Sequence, residues 1–258
     1  PINGIYFKGI MGDTITDQPM LFAVVDCNGH YLAEQQIQLD MVTGDGILGP
    51  RSIMTDNAGV AGFAYCFSGN LANASFRLYL ENLDTIKVYV RADALIPGGH
   101  GQAQYILFDD TYADVKNFNG EPASLDIITD HCIMYANYEE SLGVVVMLYD
   151  LDYNQQVYDT SSVYGVIVNS VYSGTTLDNP AIGVLSPLAD LRQLWGVPDD
   201  IKHSPPRPAT VIRYDSLPGK FYGHWESGMA DTLIEEIHLF EPVEQASPIS
   251  LLNLDTSQ

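Results

Sequence analysis

The chain has 258 residues, 46 % of them hydrophobic and 17 % charged, which is enough apolar sequence to bury a core and too much for a disordered polymer. Its 33 acidic residues against 11 basic ones leave a net charge of −22, which repels phosphate backbones and anionic bilayers and excludes nucleic acid as a partner. Since no apolar run reaches the roughly 18 residues of a membrane helix, membrane insertion is excluded as well.

Short apolar runs and period-two alternation, bounded by turn residues, outnumber helical patterns along the chain. In chain order the predicted strands are 20–26, 31–41, 60–67, 75–80, 86–92, 104–108, 143–149, 163–171, 209–214 and 234–240. The run 86–92 alternates Ile86, Val88 and Val90 with Lys87, Tyr89 and Arg91, the pattern of a strand with one face buried. Asn28-Gly29, Asp45-Gly46, Asn57-Ala58-Gly59, Ser68-Gly69 and Asn119-Gly120 supply the turns between runs. One helix is expected at 186–195, capped by Ser186, with Pro187 at its first position and Leu188, Leu191, Leu194 and Trp195 at helical spacing. Residues 229–240 fit both periods and are read as a strand.

Three cysteines, Cys27, Cys66 and Cys132, are too few for a disulfide scaffold. Burial of all three as small hydrophobes is the preferred reading, with a Cys27–Cys66 disulfide as the alternative. The cluster Pro97-Gly98-Gly99-His100-Gly101 marks a boundary between a domain at 1–100 and a second at 101–258. Residues 21–32 and 145–157 share an apolar strand, an Asp, a polar turn and a new strand, which favours two related domains. The chain starts at Pro1 without a leader, which fits a removed signal peptide or a trimmed sequence equally.

Four motifs follow one another in the first half: Val24-Val25-Asp26-Cys27-Asn28-Gly29, Ile37-Gln38-Leu39, Gly44-Asp45-Gly46 and Thr55-Asp56-Asn57-Ala58-Gly59-Val60-Ala61. Over about residues 18–94 this order resembles the bacterial immunoglobulin-like domains of the invasin and intimin type. The resemblance implies a β-sandwich of about seven strands, used as a spacer or adhesive module at a cell surface, without catalysis. The second half departs from it: it is longer, holds the helix and the Ser204-Pro205-Pro206-Arg207-Pro208 loop, and lacks the T-D-x-x-G block. In the motifs themselves, Asp26 and Asp56 are expected to bond backbone N–H groups of their own turns, with Gly29 and Gly59 allowing left-handed geometry.

Chemistry is harder to place. The doublets Asp109-Asp110, Asp199-Asp200 and Glu235-Glu236 point to opposite faces of any strand and make poor catalytic pairs. The six histidines lack metal-ligand spacing, and no nucleophile elbow, phosphate loop or dinucleotide fingerprint occurs. Asp150, Asp152 and Asn154 set three oxygen ligands at alternate positions and are the candidate calcium ligands, with turn formation as the competing reading. No other cofactor is expected. Tyr222, His224 and Trp225 form an aromatic group that could stack a sugar, against ordinary sheet packing. The apolar termini, with Ile2, Ile5 and Phe7 at one end and Ile249, Leu251 and Leu252 at the other, could pair within the chain or add a strand to a neighbouring copy.

The expectation is therefore an all-β protein of tandem immunoglobulin-like β-sandwiches, the second with insertions and a short helix. It is read as a non-enzymatic, extracellular or cell-surface subunit of a layer, fibre or adhesin that self-associates into a homopolymer. A carbohydrate-binding module is the alternative.

Overall fold

The structure, a computed structural model, describes residues 2, 4–15, 20–68, 73–81, 85–97, 101–128, 133–149, 156–176, 178–204, 209–214, 219–224 and 233–240. The chain divides into two units, Pro1–Asp93 and Ala94–Gln258. Both are mostly β.

The first unit contains β1 (Tyr6–Ile10), β2 (Met20–Ala23), β3 (Gln36–Thr43), β4 (Ile47–Gly49), β5 (Ser52–Met54), β6 (Val60–Cys66), β7 (Asn73–Tyr79) and the greater part of β8 (Ile86–Ile96). β2, β6 and β4 form one antiparallel sheet. β1, β8, β7, β3 and β5 form the other in that order, antiparallel except for β1, which runs parallel to β8. Strands β4 and β5 are consecutive in sequence yet pair in different sheets, β4 with β6 and β5 with β3, so the chain crosses from one layer to the other between them. Two layers whose strands alternate along the chain, with β2 beside β6 in one and β3 beside β7 in the other, make an immunoglobulin-like sandwich.

Alternation decides which residues fill it. On β8 Val88, Val90 and Ala92 are buried, on β7 Ala74, Phe76 and Leu78, and on β3 Ile37 and Leu39. From the first strand Phe7 is fully buried, and its ring lies 6.5 Å from that of Phe22 on the opposite sheet, which in turn lies 5.5 Å from Phe63. Tyr65 and Phe67 close the core with an edge-on contact at 5.0 Å.

The second unit takes in the end of β8, then β9 (Gln102–Gln104), β10 (Ile106–Leu107), α1 (Tyr112–Asn119), β11 (Ser124–Ile128), β12 (Ile133–Tyr138), α2 (Glu139–Leu142), β13 (Val144–Tyr149), β14 (Val163–Val168), α3 (Leu188–Trp195), β15 (Asp200–Ser204), β16 (Ala209–Tyr214), β17 (Gly219–His224) and β18 (Leu233–Phe240). Eight strands make one antiparallel sheet in the order β11-β12-β13-β14-β18-β17-β16-β15. One core joins a face of this sheet (Ala136, Val146, Leu148, Val166, Ile237 and Leu239 among others) to Val115 of α1 and Leu188 and Leu191 of α3.

Helix α1 lies in polar sequence that period-two reading passes over. Its signal is a capping box: Thr111 Oγ1 accepts the Asp114 N–H at 3.3 Å, while Asp114 Oδ2 accepts the Thr111 N–H at 3.0 Å. Helix α3 occurs where the leucine spacing predicts it, but Ser186 does not cap it. Ser186 accepts the Ile234 N–H at its carbonyl, and Leu185 N–H donates to the Ile234 carbonyl, so these residues are held as a short ladder on β18. The Ser186 hydroxyl accepts from Gly183 N–H instead, and Pro187 becomes the cap residue, without a side-chain bond. The ambiguous 229–240 segment is β18 over Leu233–Phe240.

Candidate functional site

The motif acids of the first unit build turns. Asp26 Oδ1 accepts the backbone N–H groups of Asn28 and His30 at 2.8 Å each, and Asp56 Oδ1 accepts those of Ala58 at 2.8 Å and Val60 at 3.0 Å. Gly29 and Gly59 follow at φ +83° and +75°, as each loop requires. The backbone N–H of His30 holds the Asp26 carboxyl below its ordinary 3.8; the His30 ring at 3.1 Å and the Asn28 N–H act in the same direction, against a smaller opposing effect of desolvation. A depressed carboxylate stabilises its turn fully above the ordinary carboxylate pKa and loses that contribution as pH falls through its own lower value. A carboxyl-carbon NMR titration should give a midpoint for Asp26 below 3.8, with the Asn28 and His30 amide protons shifting along with it. A midpoint at 3.8 or above contradicts this geometry.

The residues singled out in the sequence are dispersed. Asp150, Asp152, Asn154, Trp225, Ile249, Leu251, Leu252 and Cys132 lie outside the described residues. Tyr222 and His224 belong to β17, in register with Glu236 and Leu233 of β18. His238, two residues beyond Glu236, places Nε2 3.0 Å from the Glu236 carboxylate. Cys27 and Cys66 are both free thiols, and neither is buried as expected: Cys27 is exposed and Cys66 half-buried. Asp110 is buried and accepts the Leu107 N–H at 3.0 Å. At the first terminus Ile2 N–H donates to the Leu21 carbonyl, the Ile5 carbonyl accepts from Tyr89 N–H, and Phe7 is in the core, so this segment is paired inside its own chain.

What the structure brings together is a surface that strand periodicity alone does not reveal. The side of the β1-β8-β7-β3-β5 sheet turned away from the sandwich core carries Tyr6 and Lys8 on β1, Lys87, Tyr89, Arg91 and Asp93 on β8, Asn73, Ser75, Arg77 and Tyr79 on β7, and Gln38 and Asp40 on β3, with Arg91 and Ser75 buried and the Ser75 hydroxyl 2.9 Å from that of Thr43. Residues 1–93 contain five Lys and Arg; Lys8, Arg77, Lys87 and Arg91 are on this face and only Arg51 is elsewhere. Of the eight Asp and Glu among the described residues of this unit, Asp40 and Asp93 are on it.

The register stacks these groups in rows. Lys8 is opposite Arg91, Tyr6 opposite Tyr89, and Arg77 opposite Lys87. The Tyr6 and Tyr89 rings are stacked at 5.3 Å with planes 10° apart, and Lys87 Nζ sits 4.8 Å from the centre of the Tyr89 ring. Arg77 donates to Asp40 Oδ2 from Nη2 at 3.0 Å and from Nε at 3.3 Å, and Tyr79 donates its hydroxyl to the same oxygen at 3.2 Å. Burial lowers the Lys8 pKa, and the charge of Asp93 works against that shift. Arg77 and Asp40 keep 54 % and 43 % of their side-chain surface in water. In the sequence the signal was half present: Lys87, Tyr89 and Arg91 alternate along one strand, but their partners come from strands far away in the chain.

No protein-family model matches this chain, and no curated protein sequence matches it. Among solved structures it is similar to the D00-D0 domain of intimin (16 % identity over 35 % of this chain and 43 % of that one, TM-score 0.28). It is also similar to the D0-D1 domain of intimin (11 % identity, 92 % of this chain and 95 % of that one, TM-score 0.28). A third similar structure is invasin, a bacterial integrin-binding protein (13 % identity, 89 % of this chain and 52 % of that one, TM-score 0.26). These are the kinds of domain that the first-half motifs resemble.

Proposed function

We propose that this protein is a non-enzymatic structural and adhesive module of a cell surface, assembling with copies of itself through its sandwich edges and terminal strands. One observation supports it above others: the acids and glycines of the motif series are spent on turn geometry, as a spacer built for rigidity requires, while the sheet ends carry short edge strands. β1 lies at one edge of its sheet and β4 and β5 at others, the latter two only three residues long. Short edges limit uncontrolled pairing and leave β1 as the segment through which a neighbouring copy can be joined.

Exchange of residues 1–10 between copies would repeat in trans the pairings of Ile2 with Leu21, Ile5 with Tyr89, and β1 with β8. The terminal Ile249, Leu251 and Leu252 belong to the same proposal. Negative-stain electron microscopy of the purified chain over a concentration series, with and without calcium, tests it. Filaments or sheets that grow with concentration are expected; dispersed particles at every concentration would overturn the assembly role. A calcium requirement would bring Asp150, Asp152 and Asn154 into the assembly.

A further inference from the structure

The second unit ends its sheet differently from the first. Its outer strands β11 and β15 are five residues each, contain no proline or glycine, and pair over their whole length with β12 and β16 without a register shift. Among the described residues neither has a strand on its other side, so each presents a regular row of backbone N–H and C=O groups, the template on which a further strand forms. Each also leaves a large apolar side chain in water on the core side of the sheet. Leu125, in register with the core residue Ala136, is 43 % exposed, and Ile201, in register with the core residue Ile212, is 41 % exposed.

The middle residue of each edge carries a charge, and the two charges are opposite. Asp126 on β11 and Lys202 on β15 are exposed on the other side of the sheet, in register with Tyr135 and Val211. Asp126 accepts the Ser124 hydroxyl at 3.2 Å. Lys202 Nζ stands 3.9 Å from Asp200 on its own strand with 69 % of its side chain in water, a loose pair of the kind that contributes little and gives way to a better partner. Two copies of β11 in full antiparallel overlap would set Asp126 against Asp126, and two copies of β15 would set Lys202 against Lys202. Like charges directly opposite destabilise a strand pair and unlike charges stabilise it, so each edge repels its own kind and suits the other.

From this we infer that copies of the chain join head to tail, β11 of one copy pairing antiparallel with β15 of the next so that Asp126 lies opposite Lys202. The parity of the sheet permits it. All pairings within the eight strands are antiparallel, so β11 and β15 run in opposite directions, and a second copy continues the alternation with its core side on the same side. In that register Leu125 and Ile201 become diagonal neighbours on the core side, within reach of each other and removed from water together. A contact between two different edges leaves one edge unused at each end, so it extends to a series of copies rather than closing as a two-fold dimer. This deepens the assembly role proposed above and rests on it, with a contact separate from residues 1–10.

Sedimentation velocity of the full chain over a concentration series tests the inference. Lys202→Glu and Asp126→Lys, both exposed positions, should each weaken self-association about tenfold by setting like charges opposite. The second is the more telling, because it makes a −22 chain less negative and on that ground alone would favour association. The double variant keeps the net charge and should associate as the parent does. An equimolar mixture of the two single variants should associate where neither does alone, which also shows both to be folded. Association that both single variants leave intact, that only one of them weakens, or that the double variant fails to recover overturns the inference while exchange of residues 1–10 still stands. A parent chain that stays monomeric overturns the inference and the assembly role together.

Discussion

Phe7→Ala is expected to lower the stability of the first unit by about 3–5 kcal/mol, the usual cost of emptying a buried phenylalanine site. Phe7 is fully buried, stands on the outermost strand of its sheet, and reaches across to Phe22 on the other layer. No neighbour can close the gap easily, because Phe22 is itself braced against Phe63 and adjacent Gly9 has no side chain to move in. Urea unfolding followed by tyrosine fluorescence measures the loss. A decrease under about 1 kcal/mol would show that β1 is not seated in the core, and would remove the basis for exchanging it between copies. Since the ring makes the same contacts in either chain, the variant should leave the balance between closed and exchanged forms unchanged.

Gly143→Ala is the second large effect, expected to cost the second unit about 3 kcal/mol. Gly143 ends α2 at φ +70° and ψ +25°, where its N–H donates to the Glu139 carbonyl. A methyl group there meets the backbone nitrogen of Tyr172 at 2.2 Å and the carbonyl carbon of Val171 at 2.8 Å. Neither is the end of a flexible side chain, so the overlap adds about 1–3 kcal/mol of overpacking to about 1 kcal/mol of left-handed strain. Gly120 is the control. It ends α1 at φ +80° with nothing within 4 Å of the added methyl group, so Gly120→Ala should cost only the strain, about 1 kcal/mol. Equal losses in the two variants, measured by thermal unfolding, would contradict the packing of Val171 and Tyr172 over the α2 terminus.

Much of the β character was legible because alternation is a local signal. Val88 and Val90 are buried where period-two reading places them, while Ile86, at the strand's first residue, is exposed, and the loops at Asp26–Gly29 and Asp56–Gly59 form the turns that their side chains dictate. Short edge strands escaped the same reading: three residues, as in β4 and β5, contain less than two full periods. β1 escaped for another reason. Gly9 interrupts its apolar pattern, and Gly9 is there because a Cβ would meet the Phe67 ring at 2.7 Å, a contact between segments nearly sixty residues apart. Helix α1 carried its evidence in Thr111 and Asp114, a polar signal in a polar stretch.

Composition and local pattern by themselves determined the β class and the turn chemistry, because each depends on residue type and near-neighbour spacing. The charge rows could not be determined that way. Each strand alone shows an ordinary solvent face, Lys87-Tyr89-Arg91 on one, Tyr6-Lys8 on another, Arg77 on a third. Only the tertiary structure sets β1 parallel beside β8 and β7 antiparallel on its other side, and only that register puts Lys8 against Arg91 and Arg77 against Lys87. The physical reason is that strand order follows from burying both inner faces at once, and a shift of one residue in either pairing would turn these cations into the core.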